Sequence, residues 1–389
     1  MAKVSDISKL ERETQLVAAG REFSEHGIVN PPVYHASTIL FPTMQSLQSG
    51  DQPYNYGRRG TPTSRALESA IAQLEGGHNT RVCASGLSAV TTTLLAFLNP
   101  GDHLLITDAV YGPVRHFCNT VLKRFGVEAT YYDPLVGGDI GNLLRPNSRV
   151  IYAESPGSQT MDVQDVPAIA AAARKHGAVM ILDNTWSGGY FFKAFEHGCD
   201  VSIQSATKYI GGHSDLMLGA VTCSAETWPQ FLETFGTLGQ FAGPDDMYMA
   251  LRGLHTLDVR LERHMKNALV MADWLRSRSE VAEVLHPGLP GCRGHDLWKR
   301  DFRGASGLFS VLLHTRSETA LAAMLDGLEL FGMGYSWGGY ESLATPFDAR
   351  SRIGWENTGL AIRFHIGLEN TDDLKADLAE GFRRLGKTE

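Results

Sequence analysis

Val201–Val221 reads VSIQSATKYIGGHSDLMLGAV. It opens as a short strand, Val201 to Gln204, and passes through small hydroxyl residues to a single lysine, Lys208. It then turns at Gly211-Gly212 and resumes an apolar run from Leu216 to Val221. An ammonium group avoids such a place unless it is paired or deprotonated, because desolvation disfavours the charged form. A lysine held there becomes a usable amine nucleophile and base, as Schiff-base chemistry requires. The competing reading is a loop lysine whose stem packs while its head reaches water. A short motif alone does not separate the two.

Outward from this stretch, strands and helices alternate. Strands are predicted at Arg81 to Ala84, His103 to Thr107, Val127 to Tyr132, Arg149 to Ala153, Val179 to Leu182, Val201 to Gln204 and Ala220 to Cys223. Helical periodicity falls between them, around Leu67 to Leu74, Ser88 to Phe97, Val114 to Phe125 and Val166 to Lys175. Thr63 or Ser64 can cap the first of these helices, and Gly76-Gly77 stops it. Such alternation predicts a mostly parallel sheet covered by helices on both faces, with ligands at the carboxyl ends of the strands. Ser85, Asp108 with Tyr111, Glu154 with Ser155, Asp183 with Asn184, and Lys208 all fall at those ends.

Farther on, one long helix is predicted from Met247 to Ser277, followed by a turn-rich break from Pro287 to Gly294. A second alternation closes the chain: strand Leu308 to Leu313, helix Glu318 to Phe331, a loop over Gly332 to Thr345, strand Leu360 to Ile366, helix Thr371 to Leu385. That is a smaller α+β unit. Arg363 lies inside its last strand, where a guanidinium needs an anion, either a structural carboxylate or a ligand. Toward the N-terminus, Pro31, Pro32, Pro42 and Pro53 break any long element, yet Tyr34, Phe41, Tyr54 and Tyr56 carry too much apolar surface for a free tail. This arm is expected to lie across a neighbour. The expected divisions are an arm over 1–60, a large domain over 61–250 and a small domain over 251–389.

The totals narrow the function. A chain of 389 residues, 43% hydrophobic and 20% charged, is globular and large enough for two domains. A net charge of -8 without a basic cluster speaks against a nucleic-acid surface. Five scattered cysteines, with no CxxC spacing, fit reduced thiols in a cytoplasm better than a disulfide framework or a zinc site. The polar first residues lack a signal-peptide core, and no apolar run approaches a membrane span. No metal is expected.

The strand-end groups amount to one amine (Lys208), one carboxylate (Asp183), one phenol (Tyr111), a strand–turn–helix anion cradle (Ser85, Gly86, Leu87, with Ser205 and Thr207) and a spare arginine (Arg363). Pyridoxal 5'-phosphate asks for this set. Its aldehyde condenses with an amine, its ring nitrogen needs a facing carboxylate, its ring a flat partner and its phosphate N–H and hydroxyl donors. An amino-acid substrate adds a carboxylate that arginine grips with two hydrogen bonds.

The sequence also resembles a known family. SATKYIGG at Ser205–Gly212, with His213-Ser214-Asp215, is similar to the pyridoxal-phosphate lysine signature of the Cys/Met metabolism (trans-sulfuration) enzymes, the cystathionine synthases and lyases. The likeness runs over essentially the whole chain. It implies an aspartate-aminotransferase-type fold (PLP fold type I), with a mostly parallel seven-stranded sheet in the large domain and a smaller C-terminal α+β domain. It implies a homotetramer built from active dimers. YNYGRRGTPT at Tyr54–Thr63 resembles the family's phosphate-binding segment donated by the neighbouring subunit, with Tyr56 and Arg58 at the matching positions. Ser85-Gly86-Leu87 resembles the phosphate turn, although the family often has methionine where Leu87 stands. By the same likeness Tyr111 stacks on the ring, Asp183 faces the ring nitrogen, Ser205 and Thr207 lie near the phosphate, Lys208 is the covalent anchor, and Arg363 holds the substrate carboxylate.

Two places narrow the reaction. ESPGSQT at Glu154–Thr160 has Ser158 where γ-class members usually carry asparagine, and YSWGGYESL at Tyr335–Leu343 places Trp337, after Ser336, as bacterial β-lyases do. The resemblance therefore implies β-elimination of cystathionine, with Lys208, Tyr111 and Tyr56 as catalytic residues and Tyr111, Ser336, Trp337 and Arg363 around the substrate. The alternatives are a γ-lyase, a γ-synthase or a broader cysteine-S-conjugate β-lyase. Either tyrosine, if partly deprotonated by nearby cations, is a candidate to take the incoming ammonium proton.

Overall fold

The computed structural model describes residues 9–388. Among the described residues eleven strands build two sheets. The first seven are β1 (Asn79–Cys83), β2 (His103–Thr107), β3 (Glu128–Tyr132), β4 (Ser148–Glu154), β5 (Val179–Asp183), β6 (Val201–Gln204) and β7 (Gly219–Cys223). They lie in the order β1-β7-β6-β5-β4-β2-β3. Pairing is parallel from β6 through β5, β4 and β2 to β3, and antiparallel on both sides of β7. The expected seven-stranded, mostly parallel sheet is present.

The inner strands β2, β4, β5, β6 and β7 are largely buried on both faces and read mainly as apolar runs, whereas the edge strands β1 (NTRVC) and β3 (EATYY) carry more polar residues and β3 is partly exposed. Within β4, Val150 and Tyr152 enter one core while Ile151 and Ala153 enter the other. Helices Pro62–Glu75, Val166–His176 and Pro244–Leu254 cover the second face; Gly86–Phe97 and Trp228–Thr237 cover the first. The cap of Pro62–Glu75 is Thr61, not Thr63 or Ser64: Thr61 and Ser64 exchange hydrogen bonds in a capping box ahead of Pro62. The Val114-to-Phe125 helix begins earlier, at Gly112, and passes into a π-turn at Cys118–Leu122.

The remaining strands, β8 (Val281–Leu285), β9 (Leu308–Leu313), β10 (Leu343–Phe347) and β11 (Ala361–His365), form an antiparallel sheet in the order β10-β11-β9-β8. β8 and β10 extend the sequence reading, which left Leu343 to Thr345 in a loop. Both are edge strands, half-buried, and β10 contains Pro346, which only an edge tolerates. Helices Trp228–Thr237 and His295–Asp301 are likewise additional, and Glu318–Leu325 stops short of Phe331.

The single long helix predicted from Met247 is two, Pro244–Leu254 and Leu257–Arg276. The Gly253 carbonyl accepts from Arg260 Nη2 at 2.7 Å and from Thr256 Oγ1 at 3.2 Å, which diverts it from the helical ladder. Arg260 Nη1 donates to Tyr209 O at 2.7 Å, and so the break is tied to the residue after Lys208. In the N-terminal arm, two short helices, Arg12–Ala18 and Met44–Ser49, interrupt the expected irregular chain, and the first eight residues lie outside the described region. Leu16 and Ala19 are buried in the large core, whereas Ile28, Val29, Leu40, Met44 and Leu47 are exposed.

Candidate active site

The carboxyl ends of β1, β2, β4, β5 and β6 meet the loop before β10 and the middle of β11 around a cavity of about 700 Å³. Ser85, Gly86, Leu87, Tyr111, Asp183, Ser205, Thr207, Lys208, Ser336, Trp337 and Arg363 all border it. Eleven positions singled out from the sequence thus meet in one place.

Lys208 sits on the turn after β6, largely buried. Its Nζ donates to Ser336 Oγ at 2.5 Å and lies 5.3 Å from the centroid of the Trp337 ring. Burial, then the charge of Arg363, push its pKa down to about 8, against the pull of Asp183. The loop that delivers Ser336 is held under strain at that residue, with φ +86°, while Gly338 takes φ +88° freely as a glycine. A Cβ on Gly338 would stand 2.9 Å from the Lys208 carbonyl carbon, so the loop lies directly on the lysine backbone. Trp337 packs on the Tyr209 ring at 5.3 Å.

Asp183 ends β5. Its carboxylate accepts from Thr185 N at 3.1 Å and from Tyr152 OH at 3.3 Å. Burial raises its pKa; those hydrogen bonds and the Lys208 charge oppose the rise. The anion cradle is the N-terminus of Gly86–Phe97, capped by Ser85, whose Oγ accepts from Ser88 N at 3.1 Å. A Cβ on Gly86 would come within 2.5 Å of Ser205 Oγ, so the cradle closes only with glycine there. Among the described residues Ser205 Oγ has no protein partner. Thr207 differs: its Oγ1 donates to Leu218 O at 3.1 Å and accepts from Leu218 N at 3.0 Å, which ties the hydroxyl to β7's approach.

Arg363 lies between Ser310 and Thr345 on the neighbouring strands. No carboxylate lies within 4 Å of it among the described residues. The structural ion pair is absent, and an unpartnered guanidinium faces the cavity. Tyr111 is half-exposed, and its backbone N–H donates to Glu154 Oε2 at 2.8 Å. Burial raises its phenol above the ordinary value, Arg363 opposing, which reverses the expectation that nearby cations deprotonate it.

The donor set suits pyridoxal phosphate: a depressed amine, a buried carboxylate, a free hydroxyl in an N-terminal cradle that a Cβ would fill, and an unpaired arginine. The chain matches the family of Cys/Met metabolism PLP-dependent enzymes over residues 13–383. It belongs to that family. Among its relatives, the Escherichia coli cystathionine β-lyase is 44% identical, with 96% of this chain and 98% of that one aligned. The Haemophilus influenzae cystathionine β-lyase is 43% identical, over 97% and 99% of the two chains. A solved cystathionine γ-synthase from Xanthomonas oryzae, in complex with cystathionine, superposes with a TM-score of 0.91 at 32% identity and covers 98% of this chain and 100% of that one. The family's fold therefore carries more than one reaction.

Two residues of the family-like set lie apart from the cavity in a single chain. Tyr56 is half-exposed ahead of the turn Gly57–Arg59, and Arg58 Nη1 reaches Gly236 O at 3.0 Å. Arg58 borders a separate cavity of about 200 Å³ with Arg81 and Glu68.

A buried support that the sequence reading missed lies below the site. Glu75, at the end of Pro62–Glu75, accepts from Asn184 Nδ2 at 3.1 Å and Ser202 Oγ at 2.9 Å, and from Gln204 Nε2. It thereby holds the carboxyl ends of β5 and β6, next to Asp183 and Ser205. Its place in the apolar face of an amphipathic helix was the available signal: a carboxylate there needs donors.

Proposed function

We propose that this chain is a carbon–sulfur lyase that uses pyridoxal 5'-phosphate to cleave L-cystathionine by β-elimination into homocysteine, pyruvate and ammonia, a reaction of methionine biosynthesis. One observation carries the reading. A buried amine of lowered pKa, Lys208, faces an unpartnered arginine, Arg363, across one cavity, with Trp337 beside the amine. That arrangement suits an α-amino acid held by its carboxylate with its α-carbon near a base. The β-lyase identity of relatives aligned over nearly the whole chain supports the choice of substrate.

Bound there, the cofactor supplies an electron sink and a covalent hold on the substrate's amino group. The chain's own residues do the rest. Lys208 would anchor the group covalently, and its neutral amine would accept the α-proton and return a proton to the leaving sulfur. Asp183 keeps the ring nitrogen protonated. The free N–H groups of the Ser85–Leu87 turn and the Ser205 hydroxyl hold the phosphate. Thr207 braces that wall from Leu218. Tyr111 supplies the flat partner, Arg363 fixes the substrate carboxylate, and Ser336 and Trp337 restrain the Lys208 head.

Tyr56 and Arg58 enter the site of a neighbouring copy in this reading, which makes the active unit a dimer and, by likeness to the family, the assembly a homotetramer. The exposed apolar arm residues Ile28, Val29, Leu40, Met44 and Leu47 support a covering partner. All five cysteines are free and buried, which supports a reducing, cytoplasmic setting. No helix among the described residues is long and apolar enough to cross a membrane. The divisions at 1–60, 61–250 and 251–389 are part of the same reading.

Incubation with cystathionine and identification of the keto acid tests the reaction. Pyruvate is expected; 2-oxobutyrate would transfer the chain to the γ-class.

A further inference from the structure

Glu154 ends β4 as Asp183 ends β5, and the two are register partners across a parallel pair. Partners in a parallel ladder leave the sheet on the same face, and both residues border the Lys208 cavity. Two carboxyls thus stand side by side at the floor of the site. Neither has a cation within 4 Å among the described residues.

Their surroundings differ. Asp183 accepts two hydrogen bonds, from Thr185 N and Tyr152 OH, and faces the charge of Lys208. Glu154 accepts the Tyr111 N–H, with the Ser158 hydroxyl nearby. The charged and titratable groups facing Glu154 are Asp183 on β5, Tyr152 on its own strand, the Tyr111 phenol after β2, Arg352 before β11 and Arg363 on β11. Arg352 is already engaged by the carbonyls of Asp108 at 2.8 Å and Val110 at 3.3 Å, and Arg363, which borders the cavity, is assigned above to the substrate carboxylate. Adjacent buried carboxylates do not both ionise; one keeps the proton. Burial and the neighbouring Asp183 raise Glu154 well above the usual carboxylate range.

We propose that Glu154 is a positioning residue that works as a neutral carboxyl: it holds the Tyr111 backbone in place and leaves Asp183 the single anion at the floor of the cavity. The inference rests on the cofactor reading above, because Asp183 is the group that faces the ring nitrogen. Its consequence is that charge at position 154 is dispensable while an oxygen acceptor is not. Glutamine keeps the acceptor and removes the charge; alanine removes both.

The test compares holoenzymes of wild type, Glu154→Gln and Glu154→Ala by two readouts that need no product. These are the pH midpoint of the visible cofactor absorbance and the rate of cofactor release after dilution. For Glu154→Gln the midpoint is expected within about 0.3 pH unit of wild type and release within about 3-fold. For Glu154→Ala release is expected about 10-fold faster, as the Tyr111 N–H loses its acceptor. A midpoint displaced by about one unit or more in Glu154→Gln means that position 154 is ionised, and overturns the proposal. Release as fast in Glu154→Gln as in Glu154→Ala overturns it too, as does an unchanged Glu154→Ala enzyme. Should the alanine chain not fold, the glutamine midpoint decides alone. None of these outcomes depends on which keto acid is formed, so the β-elimination reading stands or falls separately.

Discussion

Two lysines of this protein are buried to a similar extent, and burial pulls both down to a pKa of about 8. Lys193 lies under the sheet beside Glu75; its Nζ donates to Leu74 O and to Gly189 O. Among the described residues Lys208 has one hydrogen-bond partner, the Ser336 hydroxyl, and otherwise faces open cavity. An ammonium carries three donors. Around Lys193 two backbone carbonyls take up two of them, against a single hydroxyl at Lys208, and the group is a fixed strut. Around Lys208 the partner set is left incomplete and the space beside it can admit a ligand. A depressed pKa reports burial, and it does not by itself distinguish a reactive amine from a structural one. The unfilled coordination does.

The largest expected effect tests that contrast directly. Lys208→Ala should lower pyruvate release from cystathionine by about 10³-fold or more, having removed anchor and base together, whereas Lys193→Met should leave kcat within about 3-fold. Equal losses in the two variants would erase the distinction. Next in size, Arg363→Ala should cut kcat/KM by about 10²-fold, mostly through KM, as the carboxylate clamp is lost. A loss confined to kcat would place Arg363 in the chemistry instead.

The third prediction concerns stability in the cofactor-free chain, where each buried lysine is a liability at neutral pH. Below pH 8 the folded and unfolded chains both hold the proton, and the full penalty stands, on the order of 3 kcal/mol for a shift from 10.5 to about 8. Between pH 8 and 10.5 the unfolded chain binds protons that the folded chain has released, so stability rises with pH. Lys208→Met should therefore be more stable than wild type at pH 7 and lose that advantage by about pH 10.5. Lys193→Met should follow the same slope but sit lower by about 1–3 kcal/mol, because two carbonyls lose their donor. Denaturant titrations at several pH values measure both; parallel curves without an offset would mean that the Lys193 contacts contribute nothing.

The smallest effect belongs to Ser336. Ser336→Gly relieves the φ of +86° and should raise stability by up to about 1 kcal/mol while freeing the Lys208 head. A net loss would show that the Oγ contact outweighs the strain.

How far the sequence could be read follows from where each signal resides. Strands β2, β4, β5 and β6 were legible because cover on both faces imposes largely apolar runs, and with them the strand-end positions of Asp183 and Lys208. Strands β8 and β10 were not, since a half-exposed edge carries no such run and Pro346 speaks against a strand. The break after Leu254 depends on Arg260 reaching back to the Gly253 carbonyl, an event that local periodicity does not encode. Arg363 was legible as an arginine in need of an anion; that no carboxylate among the described residues answers it became visible only in three dimensions. Tyr111 was located from its strand end, but its proton was not, because burial decides that and burial is tertiary. Glu75 was overlooked, and Glu154 was legible only as a strand-end residue without a role, for the same reason: each is an ordinary acidic residue until the donors around it are known.

The outermost pairing of the large sheet, β1 on β7, joins Asn79–Cys83 to Gly219–Cys223. The strand that leads into the anion cradle is thus made long before the one it pairs with. At about 5–20 residues per second of synthesis, that interval lasts roughly 7 to 27 seconds. Until β7 emerges, β1 waits as an unpaired edge, and closing so distant a contact is slow because the intervening chain must first be ordered. The cradle is therefore completed by the last-made strand of the large sheet, and its ability to hold an anion depends on a contact that the growing chain makes late.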